Sequence, residues 1–140
     1  MPIRLYCKDA PLGQEQAEAI FEEVRARTAM PDDDVTVRCV SEDEVRELNV
    51  KYMKKDAPTN VLTFSYEGEH DIALCAKVAK SEAKQRALSY GNYFALLIVH
   101  ALLHASGMDH ERSEAQRQLM NEMEEAVLAS LDFDAVTLEH

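Results

Sequence analysis

The chain has 140 residues, of which 46% are hydrophobic and only four each are glycine and proline. This length and composition predict one compact domain and argue against a fibrous or low-complexity chain. With 26 acidic and 15 basic residues, the formal net charge is −11, which argues against non-specific attraction to nucleic acid.

Hydrophobic periodicity divides the chain into nine predicted elements. In chain order they are strand 2–7, helix 14–29, strand 35–40, helix 41–52, strands 61–66 and 71–75, and helices 77–89, 93–105 and 113–130. Capping boxes that begin at Ser41 and Ser113 mark the starts of two of the helices. This order predicts an α+β (mixed α/β) domain in which a mixed sheet of about four strands packs with about five helices.

Three consecutive acids, Asp32, Asp33 and Asp34, precede the second strand. Carboxylates can bind metal ions, but a run of acids in a turn is more often solvated. We therefore interpret residues 32–34 as a solvated loop.

Three of the five histidines lie within eleven residues, at His100, His104 and His110. In the predicted helix 93–105, His100 and His104 share one face, a single turn apart. Gly107 can adopt the left-handed conformation that ends a helix, so the chain can turn and bring His110 back as a third ligand. Three imidazoles with a fourth position left open describe a catalytic zinc centre on a buried helix and the loop after it.

The alternative is that these histidines are packed core residues. Burying an imidazole nitrogen without a partner costs about 1–3 kcal/mol, and a bound metal removes this cost. The spacing also matches metzincin proteases, but those place a glutamate after the first histidine, where this chain has Ala101. Asp109 is expected either to orient a ligand imidazole or to cap the loop or the final helix, and the sequence leaves both roles open.

Two longer motifs resemble one known family. The first comprises Leu48-Asn49, Tyr52 and the segment from Lys55 to Phe64, and the second is the H-x3-H-x5-H pattern from His100 to His110. Both are similar to motifs of the YbeY family of bacterial rRNA maturation factors, as is the intervening segment 71–75. The likeness covers roughly residues 41–130.

The resemblance implies a single-strand-specific endoribonuclease that acts in ribosomal RNA processing and small-subunit quality control. It implies one Zn²⁺ per chain, or another divalent transition metal, on His100, His104 and His110. The implied partners are small-subunit ribosomal RNA, the ribosome and its assembly factors, with no DNA and no membrane.

The chain departs from the family at three positions. Met53 stands where many members have an arginine thought to hold phosphate, Ala101 where a glycine is usual, and His70 where a glycine is common. A cation could instead come from one of three lysines, and the loop before the third strand could steady the phosphate. The candidate contacts are Lys51, Lys54, Lys55, Thr59 and Asn60. The alternative for the lysines is a solvated helix end.

Two mechanisms fit this site. A metal could lower the pKa of a water to about 7, or it could polarise a phosphate oxygen while the ribose 2′-hydroxyl attacks. Two other functions stay open. One is a metal-dependent hydrolase of a different substrate, and the other is a non-catalytic ribosome-assembly factor with a structural metal.

The cellular location is predicted from three negative signals. No apolar run reaches the about 20 residues of a membrane span, and the N-terminus does not resemble a signal peptide. Cys7, Cys39 and Cys75 are widely spaced in strand-like segments, so we expect them to be reduced and buried. We therefore expect a cytoplasmic protein. We also expect one domain, 1–137, because residues 138–140 resemble the start of an expression-tag remnant.

Overall fold

The computed structural model describes residues 3–109 and 111–138, and these form a four-stranded sheet with helices on both faces. The elements are β1 (Ile3–Tyr6), α1 (Gln14–Arg27), β2 (Asp34–Val40), α2 (Glu42–Leu48), a π-helix (Asn49–Met53), β3 (Val61–Tyr66), β4 (Glu69–Cys75), α3 (Ala76–Gln85), α4 (Tyr90–Ala105) and α5 (Glu114–Ser130). The predicted mixed α/β fold is confirmed.

The strands lie in the order β1-β2-β4-β3. β1 and β4 both pair with β2 in parallel, whereas β3 pairs with β4 in antiparallel as a hairpin. Gly68 has φ +79° at the hairpin turn, a conformation that glycine adopts without steric cost. Ser65 on β3 is directly opposite His70 on β4, so their side chains lie on the same face of the sheet.

The larger core lies between one face of the sheet and helices α1, α4 and α5. Helix α4 is at its centre, because the side chains from Asn92 to Leu103 are all buried. On the opposite face a smaller core forms around Val45 of α2, which packs with Leu62 and Ala73. Ile72 and Leu74 face the larger core, so His70, two residues earlier on β4, faces that side as well.

Serine side chains begin three of the helices. Ser41, Ser89 and Ser113 each accept a hydrogen bond from the backbone N–H three residues later, at 3.1 Å. Ser89 explains one boundary that the sequence placed wrongly, since α4 begins at Tyr90 rather than at Tyr93. The helix predicted to reach residue 52 also differs, because it changes from α to π geometry after Leu48.

The expectation that all three cysteines are reduced is wrong for two of them. Cys7 and Cys39 form a disulfide, while Cys75 is a buried free cysteine. The parallel register pairs Tyr6 with Arg38, so Cys7 and Cys39, which follow them in the chain, lie side by side. A separation of 32 residues hides this neighbourhood in the sequence. The cysteines therefore give no support to the predicted cytoplasmic location.

Leu138, which the sequence suggests is a tag remnant, is buried in the larger core. Its backbone N–H donates to Glu124 at 3.0 Å, so this residue contributes to the folded domain. Within the described chain, no single helix has the length and apolarity of a membrane span. Helices α3 and α4 together have the required length and apolarity, but the pair is bent by 116°.

Candidate active site

His100 and His104 lie one turn apart on α4, as their spacing predicts, and their rings are in edge-to-face contact. The two Nε2 atoms are 3.1 Å apart, and the ring planes are nearly perpendicular at 79°. His100 is buried, whereas His104, near the end of the helix, is partly exposed. The pair therefore brings two nitrogen atoms close together near the C-terminal end of α4.

Glu124 of α5 holds His100 from behind. Its Oε2 atom is 2.5 Å from His100 Nδ1, and its Oε1 atom accepts the N–H of Leu138. An ionised carboxylate only accepts hydrogen bonds, so the imidazole proton of His100 lies on Nδ1. The Nε2 atom of His100 is then an acceptor directed towards His104. This carboxylate–imidazole arrangement is the one that orients histidine ligands in metal sites.

The spacing of the two nitrogens fits one metal ion. Two ligands of a tetrahedral zinc, each about 2.0–2.1 Å from the ion, lie about 3.3 Å from each other. The observed 3.1 Å between the Nε2 atoms is close to that value. His110, the third predicted ligand, lies outside the described residues. Among the residues that are described, no group of three His, Cys, Asp or Glu side chains forms a complete metal site.

The loop after α4 turns as predicted. Gly107 has φ +106°, in the left-handed half of conformational space, and its N–H donates to the carbonyl of His104. The Asp109 carboxylate accepts the N–H of Glu111 at 2.9 Å, which is the loop-capping role. Glu111 itself lines the candidate site, and sequence reasoning did not identify it.

A cavity of about 520 Å³ opens beside the two histidines. This volume is within the range of small-molecule sites. The histidines, Glu111 and Leu138 contribute to its lining, and the other residues come from β3, the loop before it and the π-helix. These others are Asn49, Met53, Lys55, Thr59, Asn60, Val61, Leu62, Thr63 and Ser65. The structure thus brings Lys55, Thr59 and Asn60 together with the histidine pair.

The other two predicted lysines, Lys51 and Lys54, lie outside the lining of the cavity. Lys51 is exposed, and its Nζ atom lies 5.2 Å from the centre of the Tyr52 ring. Lys54 ends the π-helix with φ +57°. Neither is among the described residues that line the cavity. Met53 does line it, so an exposed thioether stands where the family resemblance leads one to expect a guanidinium.

Asn60 is fixed by a network behind the cavity. Its Nδ2 atom donates to Glu82 Oε1 at 2.9 Å, and the hydroxyl of Tyr93 donates to the same oxygen at 2.7 Å. Burial, and secondly the bond to Glu82, raises the pKa of Tyr93 to about 12. Asn49 holds the neighbouring loop, because its amide donates to the carbonyl of Ala57 at 2.8 Å. These contacts give the lysine-bearing loop a defined position.

Glu124 is the main site residue that the sequence analysis missed. It lies on the buried stripe of α5 with Met120, Val127 and Leu128, and it is only 1% exposed. A carboxylate on an otherwise apolar helix face requires a partner, so its position in the pattern was a usable signal. Its partner, His100, could not be identified without the packing of α5 on α4.

Comparisons with known proteins give a consistent family. The family model described as Endoribonuclease YbeY matches residues 8–132. The endoribonuclease YbeY of Acidovorax sp. (strain JS42) is 42% identical over 106 residues, which are 73% of this chain and 70% of the relative. That of Methylibium petroleiphilum is 45% identical over 114 residues, 79% of this chain and 75% of the relative.

A solved structure has the same fold. The solution structure of TM1509 from Thermotoga maritima superposes with a TM-score of 0.63 at 28% identity. The match covers 92% of this chain and 91% of that one. The family match over most of the length and the shared fold lead to one conclusion: the chain belongs to the Endoribonuclease YbeY family.

Proposed function

We propose that this protein is a metal-dependent endoribonuclease that cleaves single-stranded RNA during ribosomal RNA maturation. One divalent metal, zinc in the first instance, is held by His100, His104 and His110. The proposed partners are small-subunit ribosomal RNA, the ribosome and its assembly factors, and the proposed location is the cytoplasm. The observation that carries the proposal is the pair of Nε2 atoms 3.1 Å apart beside the cavity.

The residues around the histidines fit a divalent ion. When bound there, such a metal supplies Lewis-acid chemistry at a phosphate oxygen or at a water. Glu124 keeps the His100 ring in the tautomer that presents Nε2, and its own burial keeps this hydrogen bond away from water.

Lys55 and Thr59 provide the contacts for a phosphate. Both line the cavity, and no ion pair within the described residues involves Lys55. The neighbouring basic residue Arg46 is different, because it pairs with Asp56 at 2.6 Å. Lys55 is therefore the cation best placed to attract a phosphodiester into a site on an otherwise acidic protein.

The exposed aromatic ring of Tyr52, the chain neighbour of the cavity-lining Met53, favours a single strand. Tyr52 is 49% exposed, and its ring packs on Phe64 with the centroids 4.9 Å apart. Lys51 lies against the same ring. A base that is not paired can stack on such a ring, whereas the bases of a duplex are already stacked on each other. This is the physical reason for proposing single-stranded RNA.

Replacement of His104 by alanine tests the proposal directly. The variant removes one Nε2 atom, so we expect its zinc content after purification without a histidine tag to fall well below one per chain. Cleavage of single-stranded RNA should be lost with it. The matched control is Ser106→Ala, at the end of the same helix, which should retain both. A His104→Ala protein that binds zinc and cuts RNA like the parent would contradict the proposal.

A substrate panel separates this function from other hydrolases. We expect cleavage of single-stranded RNA, including a small-subunit ribosomal RNA precursor, and little cleavage of duplex RNA or single-stranded DNA. Loss of metal from His104→Ala with no RNA cleavage by the parent would instead indicate a structural ion or another substrate.

A further inference from the structure

A serine, a histidine and an aspartate form a second cluster of reactive groups. Ser65 Oγ is 2.8 Å from His70 Nδ1, and His70 Nε2 is 3.0 Å from Asp33 Oδ2. The three residues come from β3, β4 and the loop before β2. The strand register places Ser65 directly opposite His70. Asp33 belongs to the acidic run that the sequence analysis interpreted as a solvated loop, and that interpretation is wrong for this residue.

The two hydrogen bonds assign different roles to the two ring nitrogens. The Asp33 carboxylate accepts only, so the proton of the neutral imidazole lies on Nε2. Nδ1 then carries the lone pair, and the Ser65 hydroxyl donates to it. A hydroxyl, a histidine base and a carboxylate that orients the base are the three groups of a nucleophilic triad, which is recognised by geometry and roles rather than by chain order.

The imidazole of this cluster is buried, whereas the serine hydroxyl is open to the cavity. His70 is 6% exposed, whereas Ser65 is exposed and lines the cavity beside the histidine pair. A ligand in the cavity can therefore reach the serine, with the imidazole largely buried directly behind the hydroxyl. A purely structural link between the hairpin and the loop before β2 needs only His70 and Asp33, and it does not explain a hydroxyl that faces an open cavity.

We propose that Ser65 is a nucleophile with His70 as its base and Asp33 as the residue that orients His70. The serine accepts acyl groups from carboxylic esters small enough to enter the cavity. The Ser65 oxygen attacks the ester carbonyl carbon as its proton passes to His70 Nδ1. The ester C–O bond then breaks, and the departing alcohol takes this proton. Water releases the carboxylic acid from the serine by the same steps in reverse. This chemistry does not depend on the metal proposed at His100 and His104.

A fluorophosphonate probe tests the nucleophile without knowledge of the natural ester. The serine oxygen bonds to phosphorus as fluoride leaves, and intact-mass spectrometry with peptide mapping locates the adduct. We expect labelling at Ser65 and none in Ser65→Ala. His70→Gln preserves hydrogen bonding but supplies no base, so labelling should slow by about 100-fold or more. Asp33→Asn should show a smaller decrease. Hydrolysis of p-nitrophenyl acetate should follow the same order.

The neighbouring strand position supplies a matched control. Thr63 faces the same side of β3 but is opposite Ile72 instead of a histidine. A Ser65→Ala/Thr63→Ser double variant therefore has a serine in the cavity that is not paired with His70, and we expect no labelling. The parent should be labelled equally with and without a metal chelator, which separates this proposal from the proposed nuclease. Absence of an adduct at Ser65 in the folded parent, or equal labelling rates in the parent and His70→Gln, would overturn the proposal.

Discussion

Glu124 illustrates how one residue can control a site that it does not enter. It is buried, it bonds His100 Nδ1, and it accepts the N–H of Leu138. Replacing it with glutamine retains the size of the side chain but removes the charge that favours Nε2 as the ligand atom. Outer partners of this kind change metal affinity by about 10–100-fold. We therefore expect Glu124→Gln to bind zinc 10–100-fold more weakly, as measured by competition with a chromophoric chelator.

The next residue of α5 gives the control for this prediction. Glu125 is exposed, so Glu125→Gln removes the same charge without touching His100. Its zinc affinity should equal that of the parent. Circular dichroism of both variants checks that the helices are intact. Equal affinities for Glu124→Gln and Glu125→Gln would show that the carboxylate behind His100 has no effect on the metal.

For single residues, the sequence predicts contacts between residues that are close along the chain and misses contacts between residues that are far apart. His100 and His104 are four residues apart in one helix, so their shared face follows from helix geometry alone. Asp33 and His70 are 37 residues apart, and their contact depends on how β2 and β4 pair. The same is true of Cys7 and Cys39. Local periodicity carries no information about which strands become neighbours.

Between elements, Tyr93 connects three segments behind the cavity. It lies on α4, its hydroxyl donates to Glu82 on α3, and Glu82 accepts from Asn60 at the start of β3. A sequence pattern predicts that Tyr93 is in a helix, but it does not reveal this network. The position of the Thr59-Asn60 loop in the cavity therefore depends on contacts between helices, and the family resemblance indicates only that this loop belongs to the site.

Because of this network, we expect the free energy of unfolding to change with pH in the alkaline range. The folded pKa of Tyr93 is raised to about 12, against 10.0 for an unperturbed tyrosine. Its stabilising contribution is fully present below pH 10, and it is lost as the pH rises towards 12, because the unfolded chain loses the proton first. The unfolding free energy should thus fall more steeply between pH 10 and 12 in the parent than in Tyr93→Phe.

Urea unfolding at a series of pH values measures this difference. At pH 8, Tyr93→Phe should be less stable than the parent by about 1 kcal/mol, because Glu82 loses a donor. The other tyrosines are common to both proteins, so their ionisation cancels in the comparison. Parallel stability curves above pH 10 would mean that Tyr93 titrates like an exposed tyrosine.

For the whole molecule, the disulfide is a covalent cross-link between distant parts of the chain. It joins residues 32 apart and ties the edge strand β1 to β2. A cross-link that closes a loop of this length stabilises a protein by about 3–4 kcal/mol in the chain-entropy model. We expect a reducing agent to lower the unfolding free energy of the oxidised protein by about 2–4 kcal/mol. Cys7→Ser/Cys39→Ser should be insensitive to the reductant, and a parent protein equally insensitive would show that the bond does not stabilise the fold.

The net charge of −11 sets how this protein can bind RNA. The net negative charge repels a polyanion, so attraction has to come from local cations: Lys55, which lines the cavity, and Lys51 and Lys54, which precede it in the chain. Binding of single-stranded RNA releases about 0.7 counterions per neutralised phosphate, so three contacts give a slope of log K against log salt no steeper than about −2.

In the presence of a chelator that prevents cleavage, Lys55→Ala should make the slope shallower by about 0.7. Lys84→Ala, an exposed lysine on α3 away from the cavity, should not change it. Equal slopes for the two variants would place the phosphate contacts elsewhere on the protein.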